Sequence, residues 1–491
     1  MRGKLVEQID SIPSEIYKDG DKPEYFDTIE HERAVARKQL QSILGQIIHS
    51  SRPMTKPLSE CAKEALSRPT KPYTPQVTVI NEACHRCAVL KCYVTDACEG
   101  CFARPCQTNC PKKAISRVNG KAHIDQSLCI ACQLCVINCP YGAIMKRRVP
   151  CMDFCPVDAI SKDSKGHSTI DPEKCIHCGR CTIRCAFGAI VMPSQIVDVF
   201  RKIRQGRNVI AMLAPATMVQ FGASVGQLRQ AVLKLGFKEM VEVALGADNT
   251  SYNEAQEFLA EIATEKQPLM TTSCCPAWVR AIKIHITNLI PYISTAGSPM
   301  KYAGDLVKKR SPDSITVFIG PCTAKRTEGA GLDNIDHVLT AEELLCAFDA
   351  ADIDPSKQPK EDNPTTRLPS SESTTYCIGQ NVTAAVVSAI PKATVIVQQK
   401  DSSIGIGEQL ANAQLTPVFI SPLDKKSFKQ LKIWNEKIDQ IPGNLIECMC
   451  CEGGCISGPG NILSGSVLQA KARNLAKERP QFNDIEDVAT L

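Results

Sequence analysis

The chain lacks any long apolar run: nothing in its 491 residues approaches the length needed to cross a bilayer. Its opening residues, Met1-Arg2-Gly3-Lys4-Leu5-Val6-Glu7, have no apolar stretch of the secretory kind and carry an acid too early for a mitochondrial-type transit peptide. The expectation is a cytoplasmic protein with no membrane contact. No glycine-rich fingerprint for a flavin or nicotinamide nucleotide is visible. What the chain has in excess is cysteine, 27 in all and an odd number. A disulfide scaffold is short and pairs its cysteines evenly, so in a chain of this size the excess points to metal.

Three segments differ in composition. Residues 1–75 contain only Cys61 and an amphipathic stretch, Glu32 to His49, with Leu40, Ile43, Leu44 and Ile47 at helical spacing. Pro53, Pro57, Pro69, Pro72 and Pro75 then mark a linker, so a short helical segment is expected here. Residues 76–195 hold 17 of the cysteines and the one clear internal repeat. Residues 196–491 have an α/β texture: Val209–Leu213, Ile315–Ile319 and Ala393–Val397 read as buried strands. Ser370–Thr375 reads as a polar loop and Val467–Glu478 as a final helix.

The repeat is Cys129-x-x-Cys132-x-x-Cys135-x-x-x-Cys139-Pro140, returning as Cys175-x-x-Cys178-x-x-Cys181-x-x-x-Cys185. A looser copy runs Cys98-x-x-Cys101-x4-Cys106-x-x-x-Cys110-Pro111. Three cysteines spaced by two residues wrap three irons of a cubane, and the fourth reaches the neighbouring cluster. Structural zinc also uses C-x-x-C pairs, but needs neither the third cysteine nor the cysteine-proline. Ferredoxin-like α+β modules with [4Fe–4S] clusters follow. By the cross-over rule, Cys98, Cys101, Cys106 and Cys139 form one site, and Cys129, Cys132, Cys135 and Cys110 a second. Cys155 with Cys175, Cys178 and Cys181 forms a third. Cys151-x-x-x-Cys155-Pro156 is half a unit, whose missing first positions fall on Met145 and Arg148. Cys84-x-x-Cys87-x4-Cys92 can complete it, giving a fourth site from Cys84, Cys87 and Cys185 with either Cys92 or Cys151. His85 and His177 read as neighbours of the clusters rather than ligands. Three to four clusters here, each roughly −2 with its thiolates, counter the formal charge of +5, so no nucleic-acid surface is inferred. Lys112, Lys113, Lys146, Arg147 and Arg148 read as compensation beside cluster loops.

Further on stand three motifs: Thr272-Ser273-Cys274-Cys275-Pro276, Gly320-Pro321-Cys322-Thr323-Ala324-Lys325, and Cys448-Met449-Cys450-Cys451-Glu452-Gly453-Gly454-Cys455. Spacing alone leaves open a buried electron-transfer cubane without catalysis. The three motifs together resemble the signature loops of the [FeFe]-hydrogenase catalytic domain across nearly all of residues 200–491. The resemblance implies a two-lobed α/β domain around an H-cluster, a cubane joined to a diiron unit with CO, CN⁻ and a bridging dithiolate. It implies Cys275, Cys322, Cys451 and Cys455 as cubane ligands, with Cys455 bridging. It implies Cys274 as the proton-transfer cysteine, Lys325 as hydrogen-bonding a cyanide and Met449 as packing beside the diiron unit. Glu254, Glu257 and Ser294 match its proton path, while Glu261 stands where the best-known members carry arginine. The three glutamates lie at helical spacing on one face. Heterolytic cleavage of H2 follows as the implied reaction, with ferredoxin as electron partner and hydrogenase maturation proteins as assembly partners.

Gly320 stands where many members have methionine, and Ala216 where serine is common, which implies a roomier pocket and resembles the group B branch. Cys448 and Cys450 read as buried thiols, and Cys61, Cys346 and Cys377 as structural. The alternative within the same homologous fold is an iron–sulfur protein without the diiron unit, either an assembly factor or an electron carrier. Joint presence of Cys274, Lys325, Met449 and Cys455 argues against it. A sensory relative is disfavoured because no PAS-like domain follows residue 460.

Overall fold

In the computed structural model, residues 6–24, 26–48, 56–68, 77–84, 87, 91–361, 367–400 and 415–485 are described; His49, Pro53, Pro69, Pro72, Pro75 and His85 fall outside them. Among the described residues no helix is long and apolar enough to cross a membrane. The first segment forms helices Ile12–Ile16, Ile29–Ile43 and Leu58–Ser67. The second begins where the hydroxyl of Thr28 accepts from the amide of His31, an N-cap. Ser42 Oγ donates to Met192 O at 3.0 Å, and Arg68 pairs with the buried Asp198. These contacts tie the segment to the chain leaving the cysteine-rich region.

Among the described residues that region contains eight short strands: β1 (Thr78–Val79), β2 (Cys92–Val94), β3 (Ile115–Val118), β4 (Lys121–Ile124), β5 (Ile144–Lys146), β6 (Ile160–Lys162), β7 (Ser168–Ile170) and β8 (Ile190–Val191). Their pairing is nested. β1 pairs antiparallel with β8, while β2 pairs antiparallel with β5 inside that span. Each closed unit carries one hairpin, β3–β4 in the inner and β6–β7 in the outer. Equivalent hydrogen bonds recur: Thr95 N to Ala143 O and Asp125 N to Ala114 O inside, Ile80 N to Ala189 O and Asp171 N to Ala159 O outside. One ferredoxin-like unit is therefore inserted into another. The half-unit at Cys151 is not damaged, as its spacing suggests; its first two cysteines lie upstream, beyond the insertion. Cores separate the two units: the inner packs Ile115, Ile124 and Ile144 among its own cysteines, whereas the outer shares a core with Trp278, Ile282 and Ile446.

The remainder holds two parallel sheets. β9 (Val209–Leu213), β10 (Glu239–Glu242), β12 (Ile315–Ile319) and β13 (His337–Leu339) form one, in the order β10-β9-β12-β13. β11 (Met270–Thr271), β14 (Pro417–Ile420) and β15 (Leu445–Cys448) form the other, in the order β11-β15-β14. β9 and β12 are buried at every residue because helices cover both faces of their sheet, which is why they read as unbroken apolar runs. Ala393–Val397 is not a strand: it lies in helix Asn381–Lys400. A short apolar run has no period long enough to separate the two states. Ser370 caps a one-turn helix, Ser371–Thr374, where the sequence reads as a loop, and the helix expected from Val467 forms as Ser466–Ala476.

Candidate active site and its cysteine groups

The carboxyl ends of β9, β11, β12 and β15 open into one cavity. Ends of parallel strands are where α/β sheets leave loops free to hold a ligand. Cys275 leaves β11, Cys322 leaves β12, and Cys451 and Cys455 leave β15; all four line this cavity with Cys274, Lys325 and Met449. Pro215, Ala216, Phe318 and Met300 make its other walls apolar. Cys275 is drawn down to about 6, chiefly by the Cys450 thiol against it and in smaller part by Lys325. Lys325 is buried, yet Glu328 at 2.6 Å holds its ammonium charged and outweighs the burial.

Next to the cavity, Cys274 is buried, and burial followed by the Glu254 carboxylate pushes its thiol well above the ordinary range. Glu254 lies on helix Ala244–Glu257 and is fully buried. Its Oε1 accepts from Ser273 N at 2.9 Å, while Oε2 has no hydrogen-bond partner. Burial lifts it to about 8, with the charge of Glu257 adding to the effect. Glu257 accepts from Ser294 Oγ at 2.7 Å and Thr295 N at 3.0 Å. The α-helix ends at Glu257 and a π-turn, Phe258–Ile262, follows, so Glu261 does not continue the face; it pairs with Lys266 at 3.8 Å. An exposed acidic stripe is excluded for Glu254.

Sixteen of the other cysteines stand in four groups. Cys106 lies beside Cys101 and Cys139, and Cys98 shares a hollow with Cys101 and Cys106. Cys110, Cys129, Cys132 and Cys135 line a second hollow. Cys155 neighbours Cys175, Cys178 and Cys181. Cys84 and Cys185 both neighbour Cys87 and Cys151. Of the two cysteines left as alternatives by the sequence, Cys151 lies with Cys84 and Cys185, whereas Cys92 lines the second hollow, buried against Cys129 and Cys135, where burial raises it to about 12. Cys110, Cys139, Cys155 and Cys185, the fourth cysteine of each unit, all accept from the amide of the alanine four residues on, at 3.3–3.4 Å. Among the described residues no three His, Cys, Asp or Glu converge as a single metal ion requires. Spread thiols around hollows suit a multi-iron cluster instead.

The third group touches the cavity, since Cys178 lines it and neighbours Cys451. His177 is not a ligand-like group. Its Nδ1 meets Thr327 Oγ1 at 2.7 Å, and burial, then Arg280, lowers it to about 4.

Several residues escaped the sequence reading. Cys377 lines the cavity beside Cys455; a lone cysteine carries no spacing to betray this. Tyr376 lines it too, its hydroxyl buried without a hydrogen bond, next to Cys274 and Glu254. Glu447 caps helix Asn381–Lys400, accepting from Gln380 N at 2.6 Å and from Thr383 N at 2.8 Å. Gly320 does not widen the pocket as expected. A Cβ there would meet the Phe318 ring at 2.4 Å, so Phe318 fills the space.

A family model described as the iron-only hydrogenase large subunit, C-terminal domain, matches residues 207–459. A 4Fe-4S binding domain matches residues 122–145, and a 4Fe-4S dicluster domain residues 150–189. The periplasmic [Fe] hydrogenase large subunit of Nitratidesulfovibrio vulgaris is 31% identical over 323 residues, 58% of this chain and 76% of that one. Iron hydrogenase 1 of Clostridium pasteurianum is 28% identical over 288 residues, 52% of this chain and 50% of its own length. Cytosolic iron-sulfur assembly component 3 of Rattus norvegicus is 23% identical over 312 residues, 52% of this chain and 63% of that one.

Proposed function

This chain belongs to the iron-only ([FeFe]) hydrogenase family, and on that premise we propose that it interconverts H2 with protons and electrons at the cavity between its two sheets. The observation that carries the reading is the meeting of Cys275, Cys322, Cys451 and Cys455 with Cys274, Lys325 and Met449 in one buried apolar space. That donor set fits an H-cluster: four thiols from three loops would hold the cubane, Cys455 would be the one shared with the diiron unit by its match to the family motif, and Lys325 offers a buried cation for an anionic ligand. When bound, the H-cluster supplies the heterolytic cleavage of H2.

The chain supplies the rest. Pro215, Ala216, Phe318 and Met300 keep water out. Cys274 Sγ receives and passes a proton, and Glu254 Oε2, the unpartnered oxygen, takes it next. A carboxyl lifted to about 8 is matched to proton exchange near neutral pH. Glu257 and Ser294 carry the path outward. On the electron side the path runs from Cys178 and its group at the cavity to the Cys151 group, Cys151 neighbouring Cys181, and on to the two groups of the inserted unit. Four [4Fe–4S] clusters, a ferredoxin as electron partner, maturation proteins for assembly and a cytoplasmic location complete the reading.

Infrared spectroscopy of the anaerobically matured protein tests it: bands of metal-bound CO and CN⁻ are expected, and their absence rejects the proposal. The similarity to an assembly component favours a second reading without the diiron unit, and the same spectrum separates the two. Cys274→Ala should keep the bands and lose most turnover.

A further inference from the structure

We propose that the Tyr376 hydroxyl carries the proton between Cys274 and Glu254; this rests on the hydrogenase reading and adds a residue to its proton path. Helix Ala244–Glu257 sets the place. Asp248, Ser251 and Glu254 follow one another on it at steps of three, so they form one strip, and all three are buried. Asp248 accepts from Ser370 Oγ and from Ser370 N at 3.3 Å, and Arg367 reaches its other oxygen at 3.1 Å. These bonds hold the short helix Ser371–Thr374 against the longer one. Tyr376 follows that short helix directly, its amide donating to Ser373 O at 3.3 Å. The tyrosine side chain then joins Cys274, Ala247 and Met449 in one packed cluster at the cavity wall.

Three buried polar atoms at this place have no hydrogen-bond partner among the described residues: Tyr376 Oη, Ser251 Oγ and Glu254 Oε2. An unpaired buried hydroxyl costs stability that a phenylalanine ring of the same shape would keep. Burial, followed by the charges of Glu254 and Cys274 beside it, pushes the phenol well above its ordinary range, so it keeps its hydrogen to donate. The other groups here are committed. Glu254 Oε1 accepts from Ser273 N at 2.9 Å. Glu447, from β15, has Oε1 on Gln380 N and Oε2 on Thr383 N and Oγ1. Glu257 is held by Ser294 and Thr295. Ser251 stands beside the phenol but is not part of the cavity wall. Tyr376 is the group next to Cys274 with both a hydrogen to give and lone pairs to receive one. In the step itself, the Cys274 S–H bond breaks as its proton bonds to the phenol oxygen. The original phenol O–H bond breaks as that proton passes to Glu254 Oε2. A thiol and a carboxylate become a thiolate and a carboxyl, the phenol is neutral before and after, and the reverse order returns the proton.

The test uses the matured full chain and Tyr376→Phe, which removes the hydroxyl alone. H2-driven reduction of methyl viologen should fall about hundredfold, the scale of a lost proton-transfer group, with KM for the dye and the CO and CN⁻ bands unchanged. The unfolding midpoint should not fall, because the oxygen removed leaves no partner behind. Infrared difference spectra across pH read the contact itself, the Glu254 carbonyl band being identified by its loss in Glu254→Gln. Without the phenol as donor that band should move to higher frequency. The carboxyl should also keep its proton to a higher pH than in the native chain, since its ionised form has lost a hydrogen bond. Glu257, Glu447 and Cys274, which face Glu254 from its own helix, from β15 and from the loop after β11, are the same in both chains. Undiminished turnover overturns the proposal. So does an unmoved carboxyl band, and so does a lowered midpoint with loss of iron, which would make the tyrosine structural. The carboxyl band is read on the cluster-loaded chain with or without metal-bound CO and CN⁻, so the two readings fail separately.

Discussion

Thr323 Oγ1 donates a 3.0 Å hydrogen bond to the backbone carbonyl of His177. Thr323 follows Cys322 and His177 precedes Cys178, so this one bond joins a loop of the cavity to a loop of the nearest cysteine group. Both residues are buried, and the His177 ring adds a second tie through Thr327. The two loops are thereby held in fixed register.

Thr323→Val keeps the volume and removes the bond, leaving a buried carbonyl unsatisfied. It should cost about 1–3 kcal/mol, measured as a lower unfolding midpoint of the loaded protein. Electron transfer between the two cluster sites should also slow in a rapid-freeze experiment; an unchanged rate would show that the bond is only structural.

Gly179 has φ +72°, and a Cβ there would meet Thr323 Oγ1 at 2.4 Å and Pro459 Cγ at 2.7 Å. Gly179→Ala should destabilise by about 2–4 kcal/mol, combining left-handed strain with the clash. Gly142→Ala is the control, with φ +60° and open space around it; only the strain, about 1–2 kcal/mol, is expected there. Equal losses in denaturant titrations would remove the close-approach argument.

Glu254 is raised from 4.5 to about 8 by burial. The folded chain then keeps a proton that the unfolded chain gives up, so stability is fully present below about pH 4.5 and falls as pH rises through about 8. Glu254→Gln cannot lose a proton. Its stability relative to the native chain should climb across that window and level off above it. A difference that is flat with pH would place the native carboxyl near its ordinary value.

Cys151→Ala should lower the iron content by about four per chain, whereas Cys92→Ala should leave it unchanged. The reverse result would return Cys92 to the ligand set.

Gly320→Ala should destabilise by about 1–3 kcal/mol through the Phe318 ring. Combined with Phe318→Val, the loss should be smaller than the sum of the two single losses. Strict additivity in equilibrium unfolding would mean that the ring moves aside freely.

Much was legible before any fold was known. Local chemistry writes itself into spacing: Cys129, Cys132 and Cys135 sit on one loop, so their common purpose is visible in seven consecutive residues. The strands Val209–Leu213 and Ile315–Ile319 were visible for the same reason, since burial on both faces leaves an unbroken apolar run. The motifs at Cys274–Cys275, Cys322 and Cys448–Cys455 pointed to one site, although nothing in their spacing said that they meet. Tertiary structure decided that, by aligning the carboxyl ends of β11, β12 and β15. It also placed Cys151, and not Cys92, beside Cys84 and Cys185. The outer ferredoxin-like unit is interrupted by the inner one, and only strand pairing, β1 with β8 around β2 with β5, shows which cysteines belong together. Glu254 makes the same point for charge. Its place in the chain fits an exposed helix face, and burial, which depends on everything packed around it, lifts that carboxyl to about 8.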